Sequence, residues 1–147
     1  MEKRMTLSPF LAMNGNAAEA IRFYEKHLKA QVVFLKTYED MKAYDPEFSY
    51  ESAHANYISH SVLLIGESQL MIADGPVNGL AAITSGDAVS LCFEAHDVQT
   101  VQEVYDSLTA DARTKIILPF EKSIFSDGYA VIIDPFGVTV QLNVASE

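Results

Sequence analysis

Polar side chains that could do chemistry stand at every second position of two apolar runs: Ser90, Cys92 and Glu94 in the first, and Thr139, Gln141 and Asn143 in the second. Alternate residues of a strand share one face of a sheet, so each set is predicted to line one side. Hydroxyl and amide groups donate and accept hydrogen bonds, and a carboxyl group in apolar surroundings can serve as a proton donor. The pattern fits a surface that binds a small polar molecule, and it equally fits a polar network that fixes strand register.

Two residues are candidates for acid–base catalysis, His60 and Glu94. Imidazole exchanges a proton near neutral pH more readily than any other side chain, and Glu94 is the best-placed carboxylate. Alternation places His60 on the same side of its predicted strand as His54, Asn56 and Ile58. A histidine in a strand is more often a packed or surface residue, so that interpretation stays open.

The remaining candidates are binding residues rather than catalysts. Ser90, Cys92, Gln141 and Asn143 are predicted to contact a ligand, together with Tyr129, which begins a later strand. Cys92 is the one cysteine of the chain, which excludes an internal disulfide bond and fits a reducing cytoplasm. Its place within an apolar run favours a second interpretation, a small side chain packed in the core.

These residues belong to a pattern of elements that occurs twice. Aligning Phe23-Tyr24 with Val104-Tyr105 superimposes a strand, a helix and further strands in each half. The elements predicted in the first half are a strand Thr6–Met13, a helix after Asn16, a strand Ala30–Glu39, a long binding loop or lid Asp40–Ser52, and strands His54–Ile65 and Gln69–Ala73. The helix is predicted because Ala17, Ala20, Ile21, Tyr24 and Leu28 fall on one face at helical spacing. Those predicted in the second half are a strand Ala88–Ala95, a helix Asp97–Thr109, and strands Lys115–Phe120, Tyr129–Ile133 and Val138–Val144.

Local signals mark where these elements begin and turn. Asn16 followed by Glu19 is typical of a capping box at the start of the first helix, and Asp97 is predicted to cap the second. Asp134-Pro135-Phe136-Gly137 is predicted to form a turn, because proline presets φ at its second position. The glycine-rich residues 75–87 are predicted to link the two halves.

Composition bounds the class of protein. The chain has 147 residues, 49% of them hydrophobic, which suits one domain of residues 1–147 with modules at about residues 5–74 and 88–147. A net charge of −10 repels phosphate backbones and excludes nucleic acid as a partner. No apolar run approaches the ~20 residues that span a bilayer, and the charged amino end has no secretion signal. We therefore expect a cytoplasmic protein without a membrane partner.

Several short motifs occur in a suggestive order: Asn14-Gly15-Asn16, Ala20-Ile21-Arg22-Phe23-Tyr24, Leu64-Ile65-Gly66, Leu70-Met71-Ile72-Ala73-Asp74 and Asp134-Pro135-Phe136-Gly137. Together they resemble the vicinal oxygen chelate superfamily, which includes glyoxalases, bleomycin-resistance proteins and dioxygenases. The PhnB-like branch is the most similar, and His60 before Leu63-Leu64-Ile65-Gly66 adds to that similarity. The resemblance implies an α+β fold with two βαβββ modules. These would form a curved, mixed, largely antiparallel sheet around a cleft, in a homodimer.

The resemblance also implies positions for a divalent metal ion, held by up to four residues from both modules. In this chain those positions fall near Pro9, Ala73, Ser90 and Gln141. Proline and alanine side chains carry no donor atom, and one hydroxyl with one amide cannot hold a divalent ion tightly. We therefore expect the cleft to be free of metal and other cofactors.

Two functions follow from these expectations, and a third possibility is that the cleft is vestigial and the dimer surface carries the function. The first is binding of a small molecule in the cleft, as in the drug-binding members of the superfamily. The alternative is a lyase, isomerase or dioxygenase that uses a metal ion at shifted positions, or acid–base chemistry by His60 and Glu94. No phosphate-binding glycine loop, nucleophile elbow or HExxH helix occurs in the sequence, so neither function is decided by a motif.

Overall fold

A computed structural model describes residues 5–75, 86 and 88–146 of the chain. Contacts between residues divide the chain into two compact units, Met1–Ile83 and Thr84–Glu147. Each predicted module falls within one unit. The predicted linker, residues 75–87, lies outside the described residues except for Gly75 and Gly86, so the single domain with its linker stays a prediction.

Both units follow one plan, a strand and a helix followed by three strands. The first unit contains β1 (Phe10–Met13), α1 (Ala17–Leu28), β2 (Gln31–Thr37), α2 (Tyr38–Tyr44), a 3-10 helix (Ser52–His54), β3 (Ile58–Ile65) and β4 (Ser68–Asp74). The second contains β5 (Leu91–Ala95), α3 (Val98–Thr109), β6 (Lys115–Glu121), β7 (Tyr129–Ile133) and β8 (Thr139–Val144). None of the helices in the described part of the chain has the length and apolar character needed to cross a membrane.

The two four-stranded sheets have the same topology. Their strand orders are β1-β4-β3-β2 and β5-β8-β7-β6. In each sheet the first and last strands of the module pair in parallel, and all other neighbours pair antiparallel. The predicted α+β class and the repeated βαβββ plan are therefore confirmed.

One helix covers one face of the first sheet. α1 has apolar residues at helical spacing, and Ala20, Ile21 and Tyr24 are almost fully buried. The helix contacts β3 and β4, where Leu63 and Ile72 have no exposed surface. Complete burial of a large apolar side chain contributes about 1.5–3 kcal/mol, so this layer forms the core of the first unit.

The second unit is organised in the same way around α3. This helix buries Val101 and Leu108 and contacts β5, β6 and β8. Along β8, Val140 and Leu142 are buried, and the polar residues between them point to the opposite side. Apolar side chains therefore lie against the helix, and polar side chains occupy the helix-free face of the sheet.

The region after β2 differs from the prediction. Residues 40–52 were expected to form a loop, but they contain most of α2, and the strand expected to reach Glu39 ends at Thr37. Thr37 and Asp40 form a capping box, in which each side chain accepts a hydrogen bond from the backbone N–H of the other. The helix starts here because these two bonds satisfy N–H groups that would otherwise have no partner.

A buried carboxylate fixes the start of α1. Asp74, at the end of β4, is 7% exposed, and its Oδ1 accepts the N–H groups of Gly15 at 2.8 Å and Ala17 at 3.1 Å. Its Oδ2 accepts the N–H of Ile58 at 2.8 Å. Asn16 precedes the helix as predicted, but its side chain makes no capping hydrogen bond, so that part of the capping-box prediction is wrong. Asp74 takes the role because the positive end of a helix favours a carboxylate.

The turn before α1 requires glycine at position 15. Gly15 has a φ of +96°, and a Cβ at this position would lie 2.6 Å from Oη of Tyr57. The hydroxyl of Tyr38 also contacts this region, where it donates a hydrogen bond to the backbone oxygen of Asp74 at 3.2 Å. Burial, and then the negative charge of Asp74, raise the pKa of Tyr38, which therefore remains a hydrogen-bond donor at neutral pH.

Asp74→Asn is expected to lower the free energy of unfolding by about 1–3 kcal/mol. The amide oxygen can still accept two N–H groups, but Nδ2 would then face the N–H of Ile58 and leave a buried donor unpaired. Urea denaturation followed by circular dichroism measures the change.

Asp45→Asn is the matched control, because Asp45 is exposed and its side chain accepts one N–H, from Glu47. The control should change the free energy of unfolding by less than about 0.5 kcal/mol. Equal effects of the two substitutions would contradict the role assigned to Asp74.

Candidate functional site

The helix-free face of the second sheet carries the predicted binding residues of that unit. This surface, the polar face, is defined by Ser90, Cys92, Glu94, Tyr129, Gln141 and Asn143. The strand register sets Cys92 beside Gln141, and Asn143 between Glu94 and Tyr129. The shared face predicted from alternation is therefore confirmed, and the role of these residues in binding stays a prediction.

A directed chain of hydrogen bonds crosses the polar face. Oη of Tyr129 donates to Oε1 of Gln141 at 2.7 Å, and Nε2 of Gln141 donates to Oγ of Ser90 at 2.8 Å. The direction follows from the amide, whose oxygen only accepts and whose nitrogen only donates. The chain leaves the hydroxyl hydrogen of Ser90 and the lone pairs of Tyr129 Oη available to a further partner.

Glu94 and Asn143 form a second pair on the same face. Nδ2 of Asn143 donates to Oε2 of Glu94 at 2.8 Å, and the reverse amide orientation would set two oxygens against each other. Oδ1 of Asn143 is then a buried side-chain oxygen without a hydrogen-bond partner among the described residues. Such an atom costs about 1–3 kcal/mol, a cost that a donor group reaching it would remove.

One row across the second sheet carries two carboxylates. Glu94, Asn143, Tyr129 and Glu121 follow one another across β5, β8, β7 and β6. No basic side chain stands in this row. Lys115 lies at the other end of β6, where it pairs with Ile133 of β7. The end of the polar face near Glu94 is therefore acidic.

Cys92 is exposed, which corrects the prediction that it packs in the core. The helix side of β5 is taken by Leu91 and Phe93, which are half-buried. The strand was predicted to start at Ala88, but β5 starts only at Leu91, and Val89 before it is 78% exposed. Partial burial of the thiol, and then the charge of Glu94, raise the pKa of Cys92. The thiol is protonated at neutral pH and is a weak donor rather than a nucleophile.

His60 lies on the face of the first sheet that points away from α1. The ring is half-buried, with its centroid 6.1 Å from that of Phe10 and 5.7 Å from that of Phe34. Lys36 pairs with His60 across β2 and β3, and its Nζ lies 5.9 Å from the centroid of Phe34. Sequence analysis missed this cation. The alternation of Phe34 and Lys36 was visible, but only the strand pairing places them beside His60.

Two of the three predicted neighbours of His60 lie outside its strand. His54 lies in the 3-10 helix and stacks on Tyr57, with 4.1 Å between ring centroids, and Asn56 precedes β3. Ile58 begins β3 and is 3% exposed, next to an irregularity in the register with β2. His60 belongs to the first unit and Glu94 to the second, and both remain candidates for acid–base catalysis.

The residues at the implied metal positions do not fit a divalent ion. Ser90 and Gln141 are hydrogen-bonded to each other, and Ala73 has no donor atom in its side chain. Pro9 offers only its carbonyl oxygen, which accepts the N–H of Met71 at 3.0 Å. Across the described ranges, no group of three or more His, Cys, Asp or Glu residues could hold an ion. Divalent ions need several oxygen, imidazole or thiolate ligands, which this set does not supply.

Alkylation of Cys92 by iodoacetamide is expected to reach half of its maximal rate above pH 9.0, the ordinary pKa of the thiol. Burial and the nearby carboxylate both disfavour the reactive thiolate, so the midpoint moves upward. Glu94→Gln removes the second cause and should move the midpoint down, but only in part because burial is the larger cause. Mass spectrometry across a pH series measures the rates, with the exposed Glu67→Gln as a control that leaves the midpoint unchanged. A midpoint below 9.0 would refute the assignment.

Known proteins resemble this chain over nearly its whole length, in sequence or in fold. Protein YjdN of Escherichia coli (strain K12) is 25% identical to this chain in an alignment 152 positions long, which covers 97% of each chain. A PhnB protein from Bacillus cereus is 22% identical with a TM-score of 0.73, over 96% of this chain and 100% of that one. The predicted PhnB-like branch is thus represented among the chains that share this fold.

A more distant structure of the same fold holds a metal ion. A mutant of the fosfomycin resistance protein FosX from Listeria monocytogenes, complexed with Mn(II) and 1S,2S-dihydroxypropylphosphonic acid, is 11% identical with a TM-score of 0.62. The alignment covers 99% of this chain and 93% of that one. At this identity the likeness shows the fold alone. The sequence profile that matches residues 6–142 covers nearly the whole chain, and the protein therefore belongs to the Glyoxalase/Bleomycin resistance protein/Dioxygenase superfamily.

Proposed function

We propose that this protein binds a small molecule on the polar face of its second unit. The observation that carries the proposal is the set of hydrogen-bonding groups left unused there, namely the Ser90 hydroxyl hydrogen, the Tyr129 lone pairs and the buried Oδ1 of Asn143. Strand pairing holds these groups in fixed directions, as a ligand site requires. A network that only fixed strand register would leave fewer polar atoms without partners.

The ligand that suits this face carries hydrogen-bond donors, and a primary amine suits it best. Asn143 occupies one oxygen of Glu94, and the other has no hydrogen-bond partner among the residues that the structure describes. Glu121 stands in the same row, which has no basic residue to balance the two carboxylates. An ammonium group would bond to the open oxygen of Glu94, and such charge-assisted hydrogen bonds are about twice as strong as neutral ones.

Binding on this face is proposed to need no metal ion. The side chains at the implied metal positions are either bonded to each other or lack donor atoms, as Ser90 with Gln141 and Ala73 illustrate. The polar groups of the face can therefore contact the ligand directly rather than through an ion.

Catalysis is the second candidate function, and the surroundings of His60 favour it. The imidazole lies between Phe10 and Phe34 with Lys36 alongside, a position in which a substrate could stack and a base could act. The superfamily includes glyoxalases and dioxygenases by its description. In this function His60 would serve as the base, and Glu94, in the second unit, is a separate candidate for a proton donor.

The setting in which the protein works is also a proposal. A homodimer follows from the resemblance to the PhnB-like branch, and a cytoplasmic location fits the single unpaired cysteine, Cys92.

Small primary amines should raise the melting temperature of the protein more than the same compounds after N-acetylation, which removes the charge. A ligand at 100 times its Kd adds about 2.7 kcal/mol to the free energy of unfolding. Glu94→Gln should weaken binding of the best amine at least about tenfold, or about 1.4 kcal/mol, in isothermal titration calorimetry. The control Glu67→Gln, in the turn between β3 and β4, should not change the Kd. Equal binding of amine and N-acetyl forms would refute the proposed recognition.

Elemental analysis separates the metal-free proposal from the metal-dependent form of the alternative. Protein purified without chelators is expected to carry far less than one equivalent of zinc, nickel, manganese or iron. A stoichiometric ion that is lost in His60→Ala or Glu94→Ala would contradict the metal-free proposal and support an enzyme. Glu67→Ala is the control for loss by general destabilisation, because Glu67 is exposed in a turn.

A further inference from the structure

A groove of about 540 Å³ lies within the second unit, at the end of the sheet where β5 and β8 finish. The segment between β6 and β7, from Lys122 to Asp127, forms one wall, and His96 with residues 144–146 forms the other. None of the residues that define the polar face lines the groove. Sites for small organic ligands have volumes of about 300–1,000 Å³, so one such molecule fits here.

Hydrogen bonds of Ser126 hold the wall formed by Lys122 to Asp127 in place. Ser126 is 8% exposed, and its Oγ accepts the N–H of Gly128 at 3.2 Å and lies 2.9 Å from the carbonyl oxygen of Val144. The N–H of Ser123 donates to the backbone oxygen of Ser126 at 2.9 Å. The segment is therefore fastened both to itself and to β8, so the groove exists before a ligand arrives.

His96 supplies the groove with a directed acceptor. Its Nδ1 lies 3.0 Å from the carbonyl oxygen of Ala145. A carbonyl oxygen only accepts, so Nδ1 carries a hydrogen, and in the tautomer that has its single hydrogen there Nε2 carries a lone pair. A ligand N–H group can donate to that nitrogen.

The groove also carries one charge of each sign. Lys122 and Asp127 both line it, and neither forms an ion pair within the described ranges of the chain. A simple anion would meet Asp127 and the net charge of −10, and a simple cation would meet Lys122. A molecule with both charges satisfies both side chains and has no net charge for the protein's field to repel.

Two large apolar side chains complete the lining. Phe125 is 63% exposed and Ile124 is fully exposed, although both line the groove. The ring of Phe125 meets the ring of Tyr129 edge to face, with 4.9 Å between centroids, which fixes its orientation. An apolar group on the ligand would cover surface that is otherwise in contact with water.

We propose that this groove binds a small zwitterion with an apolar side group, the chemical class of the apolar α-amino acids. The carboxylate lies against Lys122, and the ammonium group lies against Asp127 and donates to Nε2 of His96. The apolar group lies on Phe125 and Ile124. This site goes beyond the proposed function, because it uses a different surface and prefers a different ligand charge.

Isothermal titration calorimetry with L-phenylalanine tests the proposal, with 3-phenylpropionate and L-phenylalaninamide as probes that lack the ammonium or the carboxylate. All titrations use a Glu94→Gln background, in which binding of amines at the polar face is weakened. L-Phenylalanine should bind at least about tenfold more tightly than either probe, or about 1.4 kcal/mol. Lys122→Gln and Asp127→Asn should each remove that advantage.

Lys115→Gln is the matched control, because Lys115 is exposed on β6 and does not line the groove. Its Kd for L-phenylalanine should stay within about twofold of the background protein. The proposal is overturned if no binding is detected, if 3-phenylpropionate binds as tightly as L-phenylalanine, or if Lys122→Gln binds like the control. Unchanged circular dichroism spectra exclude misfolding as the cause of lost binding.

Discussion

In the second unit a single helix, α3, packs against one face of the sheet, and side-chain alternation along the strands decides what the other face can do. In β8, Val140 and Leu142 lie toward α3, so Gln141 and Asn143 must point away from it. These amides form their hydrogen bonds across strands instead. Gln141 donates to Ser90, and Asn143 donates to Glu94. The same constraint that builds the core therefore assembles the polar face.

The N-termini of α1 and α3 are capped in different ways, and this difference affects which residue lines the groove. α1 is capped from a distance by Asp74, the last residue of β4. α3 is capped locally by Asp97, whose Oδ2 accepts from the N–H and hydroxyl of Thr100 at 3.0 and 2.8 Å, and these bonds lower the pKa of Asp97. Because α3 has this local cap, it needs no carboxylate at the end of β8, the position equivalent to Asp74. Val144 occupies that position and lines the groove.

Strands and the faces of their side chains could be predicted from the periodicity of the sequence. Features that depend on contacts between distant residues could not. β7 has the predicted bounds Tyr129–Ile133, and the repeated plan and polar face followed from alternation. The end of β2 was missed because an apolar, β-branched run competed with the capping signal of Thr37 and Asp40. The cap by Asp74 joins residues 57 and 59 positions apart, and the groove joins three separate segments, so neither has a local signature.

The charge of the whole chain affects the two surfaces in opposite ways. With a net charge of −10, an ammonium group is attracted both by the overall field and by Glu94, so the polar face needs no special feature to favour it. A carboxylate is repelled by that field and is held only where a basic side chain acts within the screening distance of about 8–10 Å. Lys122 provides such a place in the groove, and Asp127, which also lines the groove, limits the site to ligands that also carry a positive charge. The positions of a few basic residues, rather than their number, therefore set which acidic groups this protein can hold.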